Sequence, residues 1–195
     1  MTNITEKEKE IVLKIFKDFT NSYNASSISK LVKMTRVGSY KALKNLEQHG
    51  ILESKRLGKA IFYKIKLNDN YAKKSVELVL MEEANQKKRW LEEFKELFDL
   101  CESVILFGSI LKSEEKANDI DLLLIMDQEN NTKINKFIDT KNQILLKKIH
   151  PIKQTSDDFI NNVKKKDKVI LDAIKTGIVL SGVENYVELI NNAQK

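Results

Sequence analysis

Ile11, Val12, Ile15, Phe16 and Phe19 recur at helical spacing, and they predict an amphipathic helix over residues 5–20. Ser26 or Ser27 is placed to cap a second helix that turns Ile28, Leu31 and Val32 inward. After a short break at Met34-Thr35-Arg36, a third helix carries Val37, Tyr40, Leu43 and Leu46 on one face. It stops at Gly50, a residue suited to the position just past a helix end. The period then changes from helical to two. A strand over 51–55 leads to a turn at Leu57-Gly58, after which Ile61, Tyr63 and Ile65 alternate with Phe62, Lys64 and Lys66. Three short helices with a tight second turn, followed by a hairpin, form a helix-turn-helix with a wing.

Residues 72–99 read as helix again, with two apolar clusters. Val76, Val79, Leu80 and Met81 form the first; Trp90, Leu91, Phe94, Leu97 and Phe98 form the second. Between them lies the polar stretch "EEANQKKR", where the pattern places a domain boundary. Trp90 and Phe94 are expected in the core of the second domain rather than in a ligand site. Beyond them, 104–107 reads as a strand that ends at Gly108-Ser109, with a short turn over 110–113. A buried strand over 120–126, a helix over 132–142, a strand over 144–152 and mostly helix over 157–175 follow. The expected fold class is α+β in two domains. They are a winged helix over 1–71 and, after a helical connector over 72–87, a mixed sheet with helices over 88–195.

Composition narrows the setting. The apolar runs fall far short of the ~18 residues that span a bilayer, so no membrane partner is expected. The start, "MTNITEKEKE", is polar and acidic, unlike a signal or transit peptide. Cys101 is the single cysteine, which excludes an intramolecular disulfide and disfavours a cysteine zinc site; a cytoplasmic location follows as the simplest expectation. The net charge of +6 is unevenly placed. Residues 1–70 hold 14 Lys and Arg against 7 Asp and Glu, while the rest of the chain holds 20 against 21. A basic stripe confined to one small region is the footprint of a nucleic-acid partner; the alternative is a solvated, lysine-rich surface.

The stretch "SISKLVKMTRVGSYKALKNLEQHGILESKRLGKAIFYKI" resembles the winged helix-turn-helix regulators, in particular archaeal ArsR- and MarR-like domains. The likeness covers about residues 5–70. It implies a partner of double-stranded DNA, bound by a homodimer that matches two half-sites. It also implies that the third helix enters the major groove, with Arg36, Ser39, Lys41, Lys44 and Asn45 facing bases or phosphates. Lys55, Arg56 and Lys59 on the wing would hold the phosphate backbone, which positions the protein without specifying sequence. Gly38, early in the recognition helix, departs from this pattern and costs ~1 kcal/mol of helix stability.

The segment "VILFGSILKSEEKANDIDLLLIM" sets two carboxylates into an otherwise buried strand. Asp119 and Asp121 are two apart, so both point to one side, ~6.5–7 Å apart along the strand, while Ile120, Leu122 and Leu124 point to the other. Buried unpaired carboxylates repel and are costly to desolvate. A divalent cation removes that cost, and Mg²⁺ is held by one or two carboxylates with phosphates and water completing its shell. Gly108 lets a backbone approach a ligand closely, and the turn after it offers N–H groups to phosphate. The alternative is a pair of strand-end aspartates capping a neighbouring turn.

"LFGS", nine residues, "DID" and an apolar strand together resemble the nucleotidyltransferase superfamily of the DNA polymerase beta type, especially its minimal form. The closing "IVLSGVENYVELI" is similar to small archaeal members, and the likeness covers about residues 88–192. By that resemblance Gly108 and Ser109 bind the triphosphate of ATP or another NTP. Asp119 and Asp121 are the catalytic carboxylates that hold Mg²⁺ or Mn²⁺, and a nucleoside monophosphate passes to a hydroxyl with release of pyrophosphate. Minimal members serve as antitoxins that adenylylate a ribonuclease toxin of the HEPN type, so a protein acceptor is among the implied partners. Two departures stand against full activity. Active members bring a third carboxylate from the next strand, and "QILLKKIHPIKQT" has no Asp or Glu. His150 stands in that region, as a candidate base or as a structural residue. Leu111-Lys112-Ser113 also replaces a small residue followed by glycine. Two functions therefore remain in view: a DNA-binding regulator whose second domain binds a nucleotide or is a catalytic relic, and an active nucleotidyltransferase positioned by its winged helix.

Overall fold

The computed structural model describes residues 4–195, so the first three residues of the polar start lie outside the described residues. The chain divides into two compact units, one ending at Val79 and the other spanning Leu80–Lys195.

In the first unit, helix α1 (Glu6–Lys17) starts in a capping box. The Thr5 hydroxyl accepts from the Glu8 N–H, and the Glu8 carboxylate accepts from the Thr5 N–H at 2.8 Å. Helix α2 (Ala25–Leu31) is capped by Asn24, whose side-chain oxygen accepts from the Ser26 and Ser27 N–H groups. The helix therefore begins slightly before the expected serine cap, because asparagine caps as well as serine does. Ile28 and Val32, four apart, are buried, while Leu31 falls beside that stripe and is exposed.

Helix α3 (Arg36–Gln48) starts at Thr35, whose hydroxyl accepts from the Gly38 N–H at 3.0 Å. Its inward stripe is Ser39, Ala42, Leu43 and Leu46, an i, i+3, i+4, i+7 pattern. Leu43 and Leu46 are buried as expected, but Val37 is 66% exposed and Tyr40 is 46% exposed. Both can sit outside because the small residues Ser39 and Ala42 let α3 approach its neighbours closely.

Strands β1 (Leu52–Leu57) and β2 (Ala60–Ile65) pair antiparallel, with Leu57 opposite Ala60 across the two-residue turn Gly58-Lys59. Gly58 has φ +61°, as the favoured two-residue hairpin turns require. Tyr23 forms an antiparallel bridge with Tyr63, whose N–H donates to the Tyr23 carbonyl at 2.8 Å. The unit is a winged helix. Helix α4 (Asn70–Asn85) follows and buries Val76, Val79 and Leu80, while Met81 from the same expected cluster is exposed beside Leu78.

The predicted continuous helix over 72–99 breaks at residues 86–87. Helix α5 (Lys88–Phe94) and one 3₁₀ turn follow the break. In the second unit the sheet has the order β5-β4-β3-β6. Strand β3 (Ser103–Phe107) is antiparallel to both β4 (Asp119–Ile125) and β6 (Ile178–Ser181), and β4 is parallel to β5 (Lys148–Gln154). Helix α6 (Asn131–Ile144) makes the crossover that a parallel pair needs. Helices α7 (Ser156–Lys164), α8 (Lys168–Thr176) and α9 (Val183–Ala193) complete the unit.

Trp90 and Phe94, stacked at 5.8 Å between ring centroids, join Val104, Leu106, Ile120, Leu122 and Leu124 in the core. Ile105, Leu123 and Ile125, on the other side of the pleat, are buried as well. A strand covered on both faces reads as a continuous apolar run. Strand β5 starts later than expected, because Ile144 ends α6 and Leu146 lies in the connecting loop. Both are exposed apolar residues that imitate a strand in the sequence. Burial pushes the Cys101 thiol up to about 12, which leaves it inert. No described helix is long and apolar enough to cross a membrane.

Candidate functional site

Strand β4 sets Asp119 and Asp121 on one side of its pleat, both only half-buried, and sends Ile120 and Leu122 into the core. Pairing then decides their company. Across β3 the partner of Asp121 is Phe107; across β5 it is His150. Residues opposite one another in a sheet share a face, so His150 stands beside the two carboxylates. His150 Nδ1 lies 3.0 Å from Asp119 Oδ2, and its side chain is 63% exposed. Donor atoms of Asp119, Asp121 and His150 all lie within 4.8 Å of one another. Among the described residues this is the one cluster of three such groups.

The electrostatics fit a cation. Burial raises the Asp121 pKa first, and the neighbouring Asp119 charge raises it further, while His150 opposes the rise. A carboxylate held in this way gains from any positive charge placed between the pair. Two carboxylate oxygens and one imidazole nitrogen form a donor set that binds divalent metals.

Gly108 has φ +83° and ψ −158°, a region open essentially to glycine alone. A Cβ there would lie 2.0 Å from Asp121 Oδ2. The Gly108 backbone therefore packs directly under the Asp121 carboxylate, so the glycine loop and the aspartate pair are one construction. Ser109 is exposed and opens the 3₁₀ turn Ser109–Leu111; its carbonyl accepts from the Lys112 and Ser113 N–H groups at 3.0 and 3.1 Å.

His150 is the residue that the sequence left undecided. Alternation in "KKIHPIK" puts Lys148 and His150 on one side and Ile149 on the other, but only strand register places His150 against Asp121. It occupies the next-strand location where a third carboxylate was expected and not found.

In the winged unit the expected DNA-facing residues separate into two groups. Arg36, Lys41, Lys55, Arg56 and Lys59 are exposed. Arg36 and Lys59 line one groove with Val37, Tyr40 and Ile61, between the start of α3 and the returning strand of the wing. Lys44 is partly engaged, paired with Glu47 at 2.7 Å. Two expectations are corrected. Ser39 is fully buried in the inward stripe of α3 and is not available to DNA. The amide nitrogen of Asn45 donates to Glu8 at 2.6 Å, which ties α3 to α1 rather than facing outward. The Ser39 hydroxyl is buried without a hydrogen-bond partner, a cost that alanine removes. Ser39→Ala is expected to hold or raise stability by up to about 1 kcal/mol in urea unfolding and to leave DNA affinity unchanged. A loss of DNA binding would place the hydroxyl at the interface after all.

Residues 87–180 match the family model of the nucleotidyltransferase domain. Curated proteins give no match. Among solved structures, the adhesin competence repressor AdcR from Streptococcus pyogenes aligns at 8% identity with a TM-score of 0.38, covering 71% of this chain and 79% of that one. ZitR from Lactococcus lactis, a zinc-responsive MarR family member, aligns at 15% identity with a TM-score of 0.35, covering 73% and 76%. A ZitR variant in complex with DNA aligns equally, at 15% identity and a TM-score of 0.35, covering 73% and 76%.

Proposed function

We propose that this chain, a winged helix followed by a nucleotidyltransferase domain, is a DNA-binding transcription regulator whose second domain binds a nucleotide. The observation that carries the reading is the exposed basic set Arg36, Lys41, Lys55, Arg56 and Lys59 on the start of α3 and the wing. It lies in the part of the chain that holds the excess positive charge. The outer side of α3 offers Val37, Tyr40 and Lys41 to base edges, where apolar contact reads a thymine methyl. The wing lysines and Arg56 grip phosphate. Leu78, exposed and apolar on α4, offers a contact to a second copy of the chain in a homodimer. Gly108 and Ser109 receive the triphosphate, and Asp119 and Asp121 hold a divalent cation. That cation, when bound, supplies the charge that neutralises the phosphates. The setting is cytoplasmic, where both duplex DNA and NTPs are available. Duplex DNA should be retained with an affinity that falls steeply as salt rises, because each neutralised phosphate releases counterions. A salt-insensitive or absent interaction in a gel shift defeats the reading.

A second reading is an active enzyme that transfers a nucleoside monophosphate from an NTP to a hydroxyl of a protein, RNA or small molecule, with pyrophosphate leaving. The Asp119–Asp121–His150 cluster favours it, since the next strand does supply a polar group to the carboxylate pair. Label from ATP, with Mg²⁺ or Mn²⁺, should then pass to an acceptor in a cognate lysate and be lost in Asp119→Asn. Transfer that survives that substitution, or that occurs to no acceptor, removes the enzyme reading.

A further inference from the structure

The third corner of the acidic cluster carries nitrogen where the other two carry oxygen. His150 reaches that corner by register, opposite Asp121 on the parallel strand pair. Its Nδ1 stands 3.0 Å from Asp119 Oδ2. Two ligands at right angles around a cation, each with a bond of about 2.1 Å, stand about 3.0 Å apart, so this spacing is already that of neighbouring ligands. The 4.8 Å limit on all donor separations in the cluster needs only a small contraction to bring ligands onto opposite sides of one ion. No other carboxylate joins the cluster among the described residues. Asp157 and Asp158, the next acids along the chain, sit in the first turn of α7, where Asp158 accepts from the Thr155 hydroxyl at 2.8 Å. The imidazole is largely exposed, so it can turn onto an ion without repacking the core.

We infer that His150 is the third protein ligand of the Asp119–Asp121 cation site, and that its nitrogen turns the site from Mg²⁺ toward a transition-metal dication such as Mn²⁺ or Zn²⁺. The inference rests on the reading that the two aspartates hold a cation. Mg²⁺ demands oxygen ligands in near-ideal octahedral geometry and gives up water reluctantly. Imidazole suits Zn²⁺ and its neighbours best, and affinity for a nitrogen-bearing site rises along the first-row series from Mn²⁺, the weakest of them. Charge is satisfied as well, since two carboxylates and a neutral imidazole cancel the charge of a dication.

The test uses the full chain with Mn²⁺ alone, followed by electron paramagnetic resonance with pulsed detection of nitrogen coupling. The wild type should bind Mn²⁺ with a ¹⁴N coupling and keep it against a roughly tenfold molar excess of Mg²⁺. His150→Gln should lose the nitrogen signal and weaken Mn²⁺ binding by at least about tenfold, the loss produced even by groups one step further from a metal. His150→Asp should lose the signal but gain Mg²⁺ in competition. Because His150 is exposed, both variants should fold, which circular dichroism checks. Bound Mn²⁺ without nitrogen coupling, ready displacement by Mg²⁺, or unchanged affinity in His150→Gln overturns the assignment and leaves the aspartate reading standing. Mn²⁺ binding that is absent, or that persists in Asp119→Asn/Asp121→Asn, overturns the aspartate reading and this inference with it.

Discussion

Gly108→Ala should lose about 4 kcal/mol of stability and, with it, the divalent-cation binding proposed for the aspartate pair. The glycine occupies φ +83° and ψ −158°, where an L-residue pays about 1–3 kcal/mol. The added methyl also meets Asp121 Oδ2 at 2.0 Å and its Cγ at 2.9 Å. Relief requires Asp121 to leave its place in β4 or β3 to shift against the buried sheet, and overpacking of this kind costs a further ~1–3 kcal/mol. Either movement separates the carboxylate from Asp119 and His150. Gly58→Ala is the matched control. Its φ is +61°, but nothing lies within 4 Å of the added Cβ, so the loss should be about 1 kcal/mol with the cation site intact. Urea unfolding gives the first quantity and Mn²⁺ titration the second. A Gly108→Ala protein that binds Mn²⁺ as tightly as wild type would show that the loop and the aspartate pair are independent, contrary to their packing.

The second large effect lies on the wing. Lys55→Gln/Arg56→Gln/Lys59→Gln removes three exposed cations, each proposed above to meet a phosphate. The slope of log K against log salt should become shallower by about 2.7, at ~0.9 for each contact, and affinity near physiological salt should fall about a hundredfold. The loss should be uniform across DNA sequences, because phosphate contacts position without specifying. Lys41→Gln, on the outer face of α3, should instead alter the preference among sequences. Lys44→Gln should do less than either, since Lys44 is already engaged by Glu47. Duplex affinities measured across a salt series decide among these outcomes. An unchanged slope in the triple variant would remove the wing from the interface, and with it the main support for the regulator reading.

Local pattern carried much of this protein. The helix-to-strand change of period near Gly50 announced the wing, because periods of 3.6 and 2 arise from the chain's own geometry. The unbroken apolar run of β4 announced a strand covered on both faces. The Asp119–Asp121 spacing put both carboxylates on one side before any neighbour was known. Where local pattern misled, a competing signal imitated it. Val37 and Tyr40 fell in step with Leu43 and Leu46, yet the stripe that packs is set by Ser39 and Ala42, whose small side chains admit a close neighbour. Ile144 and Leu146 looked like strand and are a helix end and a loop.

Residues close together in the chain were enough for the winged third, its excess of positive charge and the aspartate pair, but not for the helix break at residues 86–87 or for the closing strand and helix. Tertiary structure alone decided that Ser39 and Asn45 turn inward and that Gly108 passes under Asp121. It alone brought His150 to the carboxylates. These facts depend on helix packing and on strand register, and register joins β4 to β5 across the length of α6. Residues so far apart in the chain carry no mark of their pairing until the sheet aligns them, and a slip of one position would have turned His150 to the opposite face.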